Sequence, residues 1–318
     1  MAKTSDHPVS ITVSNETTPL MQSARSIHSN DGDERKKEML GLLLMLLSAF
    51  AFSIMSMFVK ICSANFPSFQ IVFARSIVQL FLGLMGCAAI NINPLGKRDL
   101  RGLLVTRGMV GAISLALFYY SITQLPLPDA TVVYFLGPTF TAILAAMVLH
   151  EKFTIFDGMC SAGCLAGVIL VSKPQFLFGH GLGLEGSEMT RLLAVGAALL
   201  GALSSAVVFV IVRKIGKGAH FMVHVVYFGA MALVLSLVGM LAFQEVVVPT
   251  TAYDYGMLLL VGIFAFIGQC LCNSGLQLAP AGPGTLMRMN DVVFAFLLSI
   301  GILHEYPDLY SILGACLI

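Results

Sequence analysis

Apolar residues in this chain gather into long runs that polar residues only punctuate. The first run extends from Met39 to Val59, and others follow at roughly 68–90, 102–121, 130–149, 154–172, 191–212, 219–242, 255–276, 284–303 and 307 to the end. Most come close to the ~20 residues that a helix needs to cross the hydrocarbon core of a bilayer. Helix is the predicted element throughout, because in lipid each segment must satisfy its own backbone N–H and C=O groups. Gly, Pro and Ser recur inside the runs at a density that soluble helices do not tolerate and membrane helices do. The pattern predicts an all-α integral membrane protein of ten transmembrane helices. Residues 1–37, rich in Ser, Thr, Asn and Asp and without an apolar stretch, are predicted as a disordered arm. The arm has no secretory h-region, so the first run acts as an uncleaved signal anchor.

Composition changes this picture little. Of 318 residues, 57% are hydrophobic and 11% charged, with a mean hydropathy of +0.89, against about a quarter charged in a soluble domain. Net charge is +1 with no basic stripe, which speaks against a nucleic-acid partner and leaves the lipid bilayer as the surrounding medium. Where the charges fall is more informative. Arg35, Lys36, Lys37, Lys97, Arg98, Arg101, Lys152, Arg213, Lys214 and Lys217 all border the same side of the ten spans. The other side has Lys60, Lys173 and Arg191 together with Glu185, Glu188, Glu245 and Asp254. The Lys/Arg bias puts the N-terminus in the cytosol of a plasma-membrane or endomembrane protein. The cysteines read as free packing thiols, and Cys270 with Cys272 lacks nearby further ligands, so neither metal nor cofactor is expected.

The chain also repeats itself at about 153 residues. Ser121-Ile122-Thr123-Gln124-Leu125 answers Ser274-Gly275-Leu276-Gln277-Leu278. After a one-residue slip, Thr131, Phe140, Leu144 and Leu149-His150-Glu151 answer Thr285, Phe294, Leu298 and Leu303-His304-Glu305. The halves are predicted as 38–175 and 191–318, joined by a loop at 176–190. Five spans per half is an odd number, so the second copy must sit upside down, as in the inverted repeats of many secondary transporters.

Each half has a span closing on Leu-His-Glu, and the first continues into a Gly-rich span at Gly163-Cys164-Leu165-Ala166-Gly167-Val168. These features resemble the paired EamA domains of the drug/metabolite transporter superfamily. Phe58-Val59-Lys60, Phe73-Ala74-Arg75, Arg107-Gly108, Asp129-Ala130-Thr131 and Lys173-Pro174-Gln175-Phe176-Leu177-Phe178-Gly179 further resemble solute carrier family 35, subfamily G. The resemblance covers roughly residues 40 to 318 and implies a solute carrier. An EamA half runs about ten to fifteen residues beyond the Gly314 position, so an incomplete last helix is expected.

Charge at membrane depth is costly, so each buried ionisable residue invites a functional hypothesis. Arg75 lies well inside the second span with Gln79 one turn on, and lines a pathway or else bonds a neighbouring carbonyl or snorkels. Arg107 lies a turn and a half inside the third span, and snorkelling to the cytosolic headgroups is the preferred reading there. Arg288 and Asp291, with Asn290 between them, have the i, i+3 spacing of a local ion pair that locks, binds or only neutralises itself. Tyr119, Tyr120 and Tyr134 supply hydroxyls along the same route or anchor at the interface. The surplus of guanidinium over carboxylate suits an organic anion. Gly137-Pro138 and Gly282-Pro283-Gly284 are candidate helix breaks or hinges, and Gly163, Gly167, Gly196 and Gly201 are candidate close-packing positions within the chain, in a homodimer or against another membrane protein.

No Walker, G-x-S-x-G or H-E-x-x-H motif is present, so the expected function is not enzymatic. Two readings follow. One is a secondary or exchange carrier of a small solute, and Asp291 or Glu305 could take up a coupling proton. The other is a regulatory adaptor that keeps a carrier fold and binds membrane proteins.

Overall fold

The computed structural model describes residues 18–125, 127–151, 154–172, 188–303 and 309–318, and among these every regular element is helical. Helix α1 spans Thr18–Cys62, which corrects the expectation of a disordered arm for residues 18–37; residues 1–17 lie outside the described residues. Once the apolar part of a helix is formed, extending it avoids the cost of nucleation. The run Glu34-Arg35-Lys36-Lys37-Glu38 consists of good helix formers, with an Asp33–Lys36 pair at 3.8 Å leading into it.

The other helices are α2 (Ser68–Ala89), α3 (Arg101–Gln124), α4 (Leu127–Tyr134), α5 (Gly137–Leu149), α6 (Ile155–Ser172), α7 (Glu188–Ile215), α8 (Phe221–Phe243), α9 (Ala252–Leu278), α10 (Ala281–Met287), α11 (Asn290–Leu303) and α12 (Leu309–Leu317). Seven described segments are long and apolar enough to cross a bilayer: Asp33–Cys62, Ser68–Ala89, Arg98–Ile122, Ala130–Leu149, Leu192–Gly218, Phe221–Phe243 and Ala252–Leu278. The remaining apolar sequence forms the shorter helices α6, α10, α11 and α12. In the seven segments only 28–44% of the most apolar window is buried inside the molecule, and Phe81, Met147 and Leu241 are among the large apolar side chains on the outside. Such a surface is stable against hydrocarbon and costly against water, so this is a multi-pass integral membrane protein.

Contacts between helices follow the order of the two halves. Helix α1 packs on α9 as α7 packs on α3, α9 on α2 as α3 on α8, and α1 on α10 and α11 as α7 on α4 and α5; α2 meets α8 and α6 meets α12. Exchanging the halves maps this set of contacts onto itself. Close approach depends on glycine at two of these seams. A Cβ on Gly275 would stand 2.9 Å from the Gly41 carbonyl oxygen, and one on Gly167 would stand 2.6 Å from that of Gly314. Among the candidate packing glycines, Gly167 and Gly201 thus lie against other helices of the same chain, and Gly163 and Gly196 have nothing opposite them within 4 Å.

Two of the predicted spans are interrupted. The first breaks at Phe135–Leu136, between α4 and α5. Pro138 has no N–H for the Tyr134 carbonyl and its ring crowds that oxygen, so the helix stops at Tyr134 and restarts with Pro138 in the first turn of α5. The second breaks at Arg288–Met289, between α10 and α11. Gly282, Pro283 and Gly284 were the expected break there, and instead they lie inside α10. Proline costs no hydrogen bond in a first turn, and Gly284 N–H donates to the Pro280 carbonyl at 3.0 Å.

Candidate functional site

Tyr134 and Arg288 stand 154 residues apart, as Thr131 and Thr285 do, and both lie at the break in their own half, Tyr134 as the last residue of α4 and Arg288 as the first residue after α10. A broken helix leaves backbone groups without intrahelical partners, which is tolerated at membrane depth only inside protein or beside a cavity. The Tyr134 hydroxyl lies 3.1 Å from Ser114 Oγ, and Ser114 Oγ donates to the Gly201 carbonyl at 2.8 Å. With the Phe118 and Tyr134 rings 4.5 Å apart, α4 is held between α3 and α7. Arg288 lies over the Phe52 ring at 4.6 Å and the Phe209 ring at 5.6 Å, contacts of the cation–π kind.

Arg75, on α2, is 8% exposed and within electrostatic reach of Tyr119, Tyr134 and Arg288. Tyr119 comes from α3, and Tyr134 and Arg288 from the two helix breaks. Gln79, one turn on, is fully buried, and its Nε2 has no hydrogen-bond partner among the described residues.

Arg107 corrects its sequence reading. It is 2% exposed and points inward, donating from NH1 to the His224 carbonyl at 2.8 Å and from NH2 to Gln269 Oε1 at 3.2 Å and Asn273 Oδ1 at 3.1 Å. Its guanidinium also stands 5.1 Å from the centre of the Phe228 ring. Every one of these partners is formally neutral. Internal acceptors on α8 and α9 make snorkelling unnecessary. Around it the Nε of Arg107, Nδ2 of Asn273 and both ring nitrogens of His224 are buried without a protein partner. Cys272 lies within electrostatic reach of both Arg107 and Arg288, which links the two arginine environments.

The carboxylate of Asp291 is engaged elsewhere. Ser53 Oγ, on α1, lies 2.6 Å from Asp291 Oδ1 and 2.8 Å from its carbonyl oxygen. Arg288 and Asp291 therefore feel each other electrostatically but do not close the ion pair that their spacing allows. Asn290 donates its amide to the Met287 carbonyl at 3.1 Å, within its own turn, and Tyr120 is 43% exposed on the outer face of α3. Glu305 lies outside the described residues.

Sequence reasoning missed Gln269, Asn273, His224 and Ser114. Gln269 and Asn273 had a readable signal, polar residues at i, i+4 in an apolar run, which places both on one face of α9. Nothing in the sequence of α8 marks His224 as a neighbour of Arg107. No group of three or more metal-ligating side chains occurs among the described residues. Among the described residues the interior holds Arg75, Arg107 and Arg288 and one carboxylate, Asp291, bonded to Ser53.

The EamA-like transporter family matches this chain at residues 39–173 and 192–318, once per half. Solute carrier family 35 member G1 of Homo sapiens is 33% identical over 277 residues, covering 87% of this chain and 76% of that protein. The pseudopaline exporter CntI of Pseudomonas aeruginosa is 29% identical over 280 residues, covering 87% and 93%. A crystal structure 15% identical in sequence superposes with a TM-score of 0.73 over 89% of this chain and 93% of that one, a likeness of fold.

Proposed function

This chain belongs to the EamA-like transporter family, and from that premise we propose that it carries a small organic anion across the bilayer by alternating access between two inverted repeats. It is a membrane transporter; the finer reading concerns cargo and mechanism. On that reading the molecule has ten spans, five in each half with opposite orientation, and the N-terminus is cytosolic. Support for the inverted repeat comes from the helix contacts that exchange between the halves and from the equivalent position of the two breaks. Discontinuous helices meeting at a repeat interface are where transporters of this plan hold their cargo. Transport is driven by exchange or an ion gradient, because the sequence carries no nucleotide-binding motif.

The observation that carries the anion reading is that the buried Arg75 lies within electrostatic reach of a second guanidinium, Arg288, and of the Tyr119 and Tyr134 hydroxyls, with the carboxylate of Asp291 engaged by Ser53. A guanidinium at membrane depth without a carboxylate partner is costly. An entering carboxylate or phosphate would supply the missing charge and accept from the planar fork. The test is exchange of labelled di- and tricarboxylates, nucleotide sugars and amines in proteoliposomes, with Arg75→Gln beside the wild type. Saturable anion uptake, lost in the variant while folded protein is retained, is the expected result. Transport of amines alone would overturn the anion reading. A folded chain that moves nothing in the panel would favour the adaptor reading.

A further inference from the structure

We propose that the ion pair between Glu151 and Arg213 is a gate that closes the solute pathway on the side of the membrane where the N-terminal helix enters. The proposal rests on the transport reading and adds the element that controls access to the site.

Glu151 follows α5, which ends at His150 in the left-handed region with φ 55°. Its carboxylate is shared. Oε1 accepts from Arg213 Nε, near the end of α7, at 2.8 Å, and Oε2 accepts from the N–H of Ala281, the first residue of α10, at 2.9 Å. Arg213 also donates from NH1 to the Gln277 carbonyl, near the end of α9, at 3.4 Å. One residue of the first half is thereby tied to two helices of the second, α7 and α10, and Arg213 extends the link to α9. Among ion pairs between described residues, this one alone joins the two halves.

Its position relative to the arginine site follows from shared neighbours. Glu151, Arg213, Pro280, Gly282 and Pro283 line a cavity of about 330 Å³ together with Glu38, which immediately precedes the apolar run of α1, and with Asp157, Ala142 and Ala145. The cavity is therefore on the arm side. Its apolar wall is continuous with the interior, because Ala145 also belongs, with Ala281 of α10, to a buried apolar cluster with Met45, Phe52, Val210 and Cys272. Phe52 in turn carries Arg288 on its ring. From the arm side inward, a cavity walled by the ion pair ends on the apolar plug at Ala145, and the plug leads through Phe52 to the arginine site.

The environment of the pair suits a contact that opens and closes. The Arg213 and Glu151 side chains are 26% and 20% exposed, so both charges are already partly solvated. Parting them returns each to water, whereas parting a fully buried pair would leave an uncompensated charge. Because the bonds from Glu151 cross from one half to the other, relative rotation of the halves must break them, and the plug between α5 and α10 loses the contact that holds its two sides together.

Cys272 is the reporter, being in the plug and 2% exposed. A membrane-impermeant maleimide is applied from the arm side to the full chain in sealed vesicles, and labelling is resolved by residue. Glu151→Gln and Arg213→Gln should each raise the rate at Cys272 about tenfold. The double exchange Glu151→Arg with Arg213→Glu should bring it back towards the wild-type rate. Cys164, packed between α6 and α12, reports unfolding. An unchanged Cys272 rate in both single variants overturns the gate. So does a rise at Cys272 and Cys164 together in all three variants, which would make the pair a support of the fold. Labelling needs no transported solute, so a rise at Cys272 alone in a chain that moves no anion keeps the gate and removes the anion reading. Anion flux with unchanged labelling does the reverse.

Discussion

At the break between α4 and α5, Pro138 removes a backbone hydrogen bond, and the residue left at the helix end is a tyrosine whose hydroxyl lies against Ser114. At the equivalent break between α10 and α11 there is no proline; the chain tightens through bonds from Met289 N–H to the Leu286 carbonyl at 2.9 Å and from Val292 N–H to the Met289 carbonyl at 3.1 Å. The residue left there is Arg288, stacked on Phe52 and Phe209. The two halves thus share a shape while differing in chemistry. On the proposed rocking mechanism, shape is needed from both halves, since each presents a broken helix to the same interior, and charge is needed only once. A formal charge at both breaks would double the desolvation cost without adding a second cargo site, so a neutral hydroxyl opposite a guanidinium is the economical pairing.

If the charged break carries recognition, Arg288→Gln should have the largest effect. Loss of a buried charge partner typically costs 2–5 kcal/mol, or about 100-fold in the initial rate of anion uptake into proteoliposomes. Arg288→Lys keeps the charge but not the fork or the stacking, and about a tenfold loss is expected. Equal rates for wild type and Arg288→Gln would remove this break from the site. The next effect is at the neutral break. Pro138→Ala restores an N–H able to reach the Tyr134 carbonyl, and the helix from Leu127 to Leu149 is then free to run through. Higher thermal stability together with about tenfold slower uptake is expected. Faster uptake at unchanged stability would mean that the interruption plays no part in the motion.

Much of this contrast was legible in the chain, for unequal reasons. The first break could be read because proline acts on its own helix, and a local effect leaves a local mark. Proline at 283 misled for the same reason, since its consequence depends on whether the helix has already begun, and α10 starts only at Ala281. The second break has no marker residue and arises from the packing of α10 and α11 against α1. Arg107 was read by its distance from the end of its run, a measure that says how deep a side chain starts but not which way it points. Its bonds to His224, Gln269 and Asn273 span more than a hundred residues of sequence. In α1, run length identified the membrane segment, while its extension to Thr18 came from polar residues that a hydropathy pattern passes over.

A smaller effect is expected where α1 supports the charged break. Ser53→Ala removes the donor to Asp291 and leaves a half-buried carboxylate short of a partner. The cost should be about 1–3 kcal/mol of stability, measured by thermal unfolding in detergent. Released from α1, Asp291 would be drawn towards Arg288, so anion uptake should also weaken, chiefly as a higher KM. Uptake with an unaltered KM would indicate that Asp291 anchors α11 without influencing the guanidinium.

Tyr134→Phe should be the mildest. It keeps the ring against Phe118 and deletes only the hydroxyl 3.1 Å from Ser114, and Ser114 retains its bond to the Gly201 carbonyl. A net hydrogen bond contributes about 1 kcal/mol, so at most about a fivefold change in uptake is expected, with no change in the ranking of anions. If Tyr134→Phe instead reordered that ranking, the tyrosine hydroxyl would be contacting cargo, and the division between a neutral, shape-giving break and a charged, recognising one would give way to a site built from both. Comparing Tyr134→Phe and Arg288→Lys on the same anion panel separates these outcomes, because a hydroxyl and a guanidinium discriminate different features of an anion: the hydroxyl a single acceptor, the fork a pair of them.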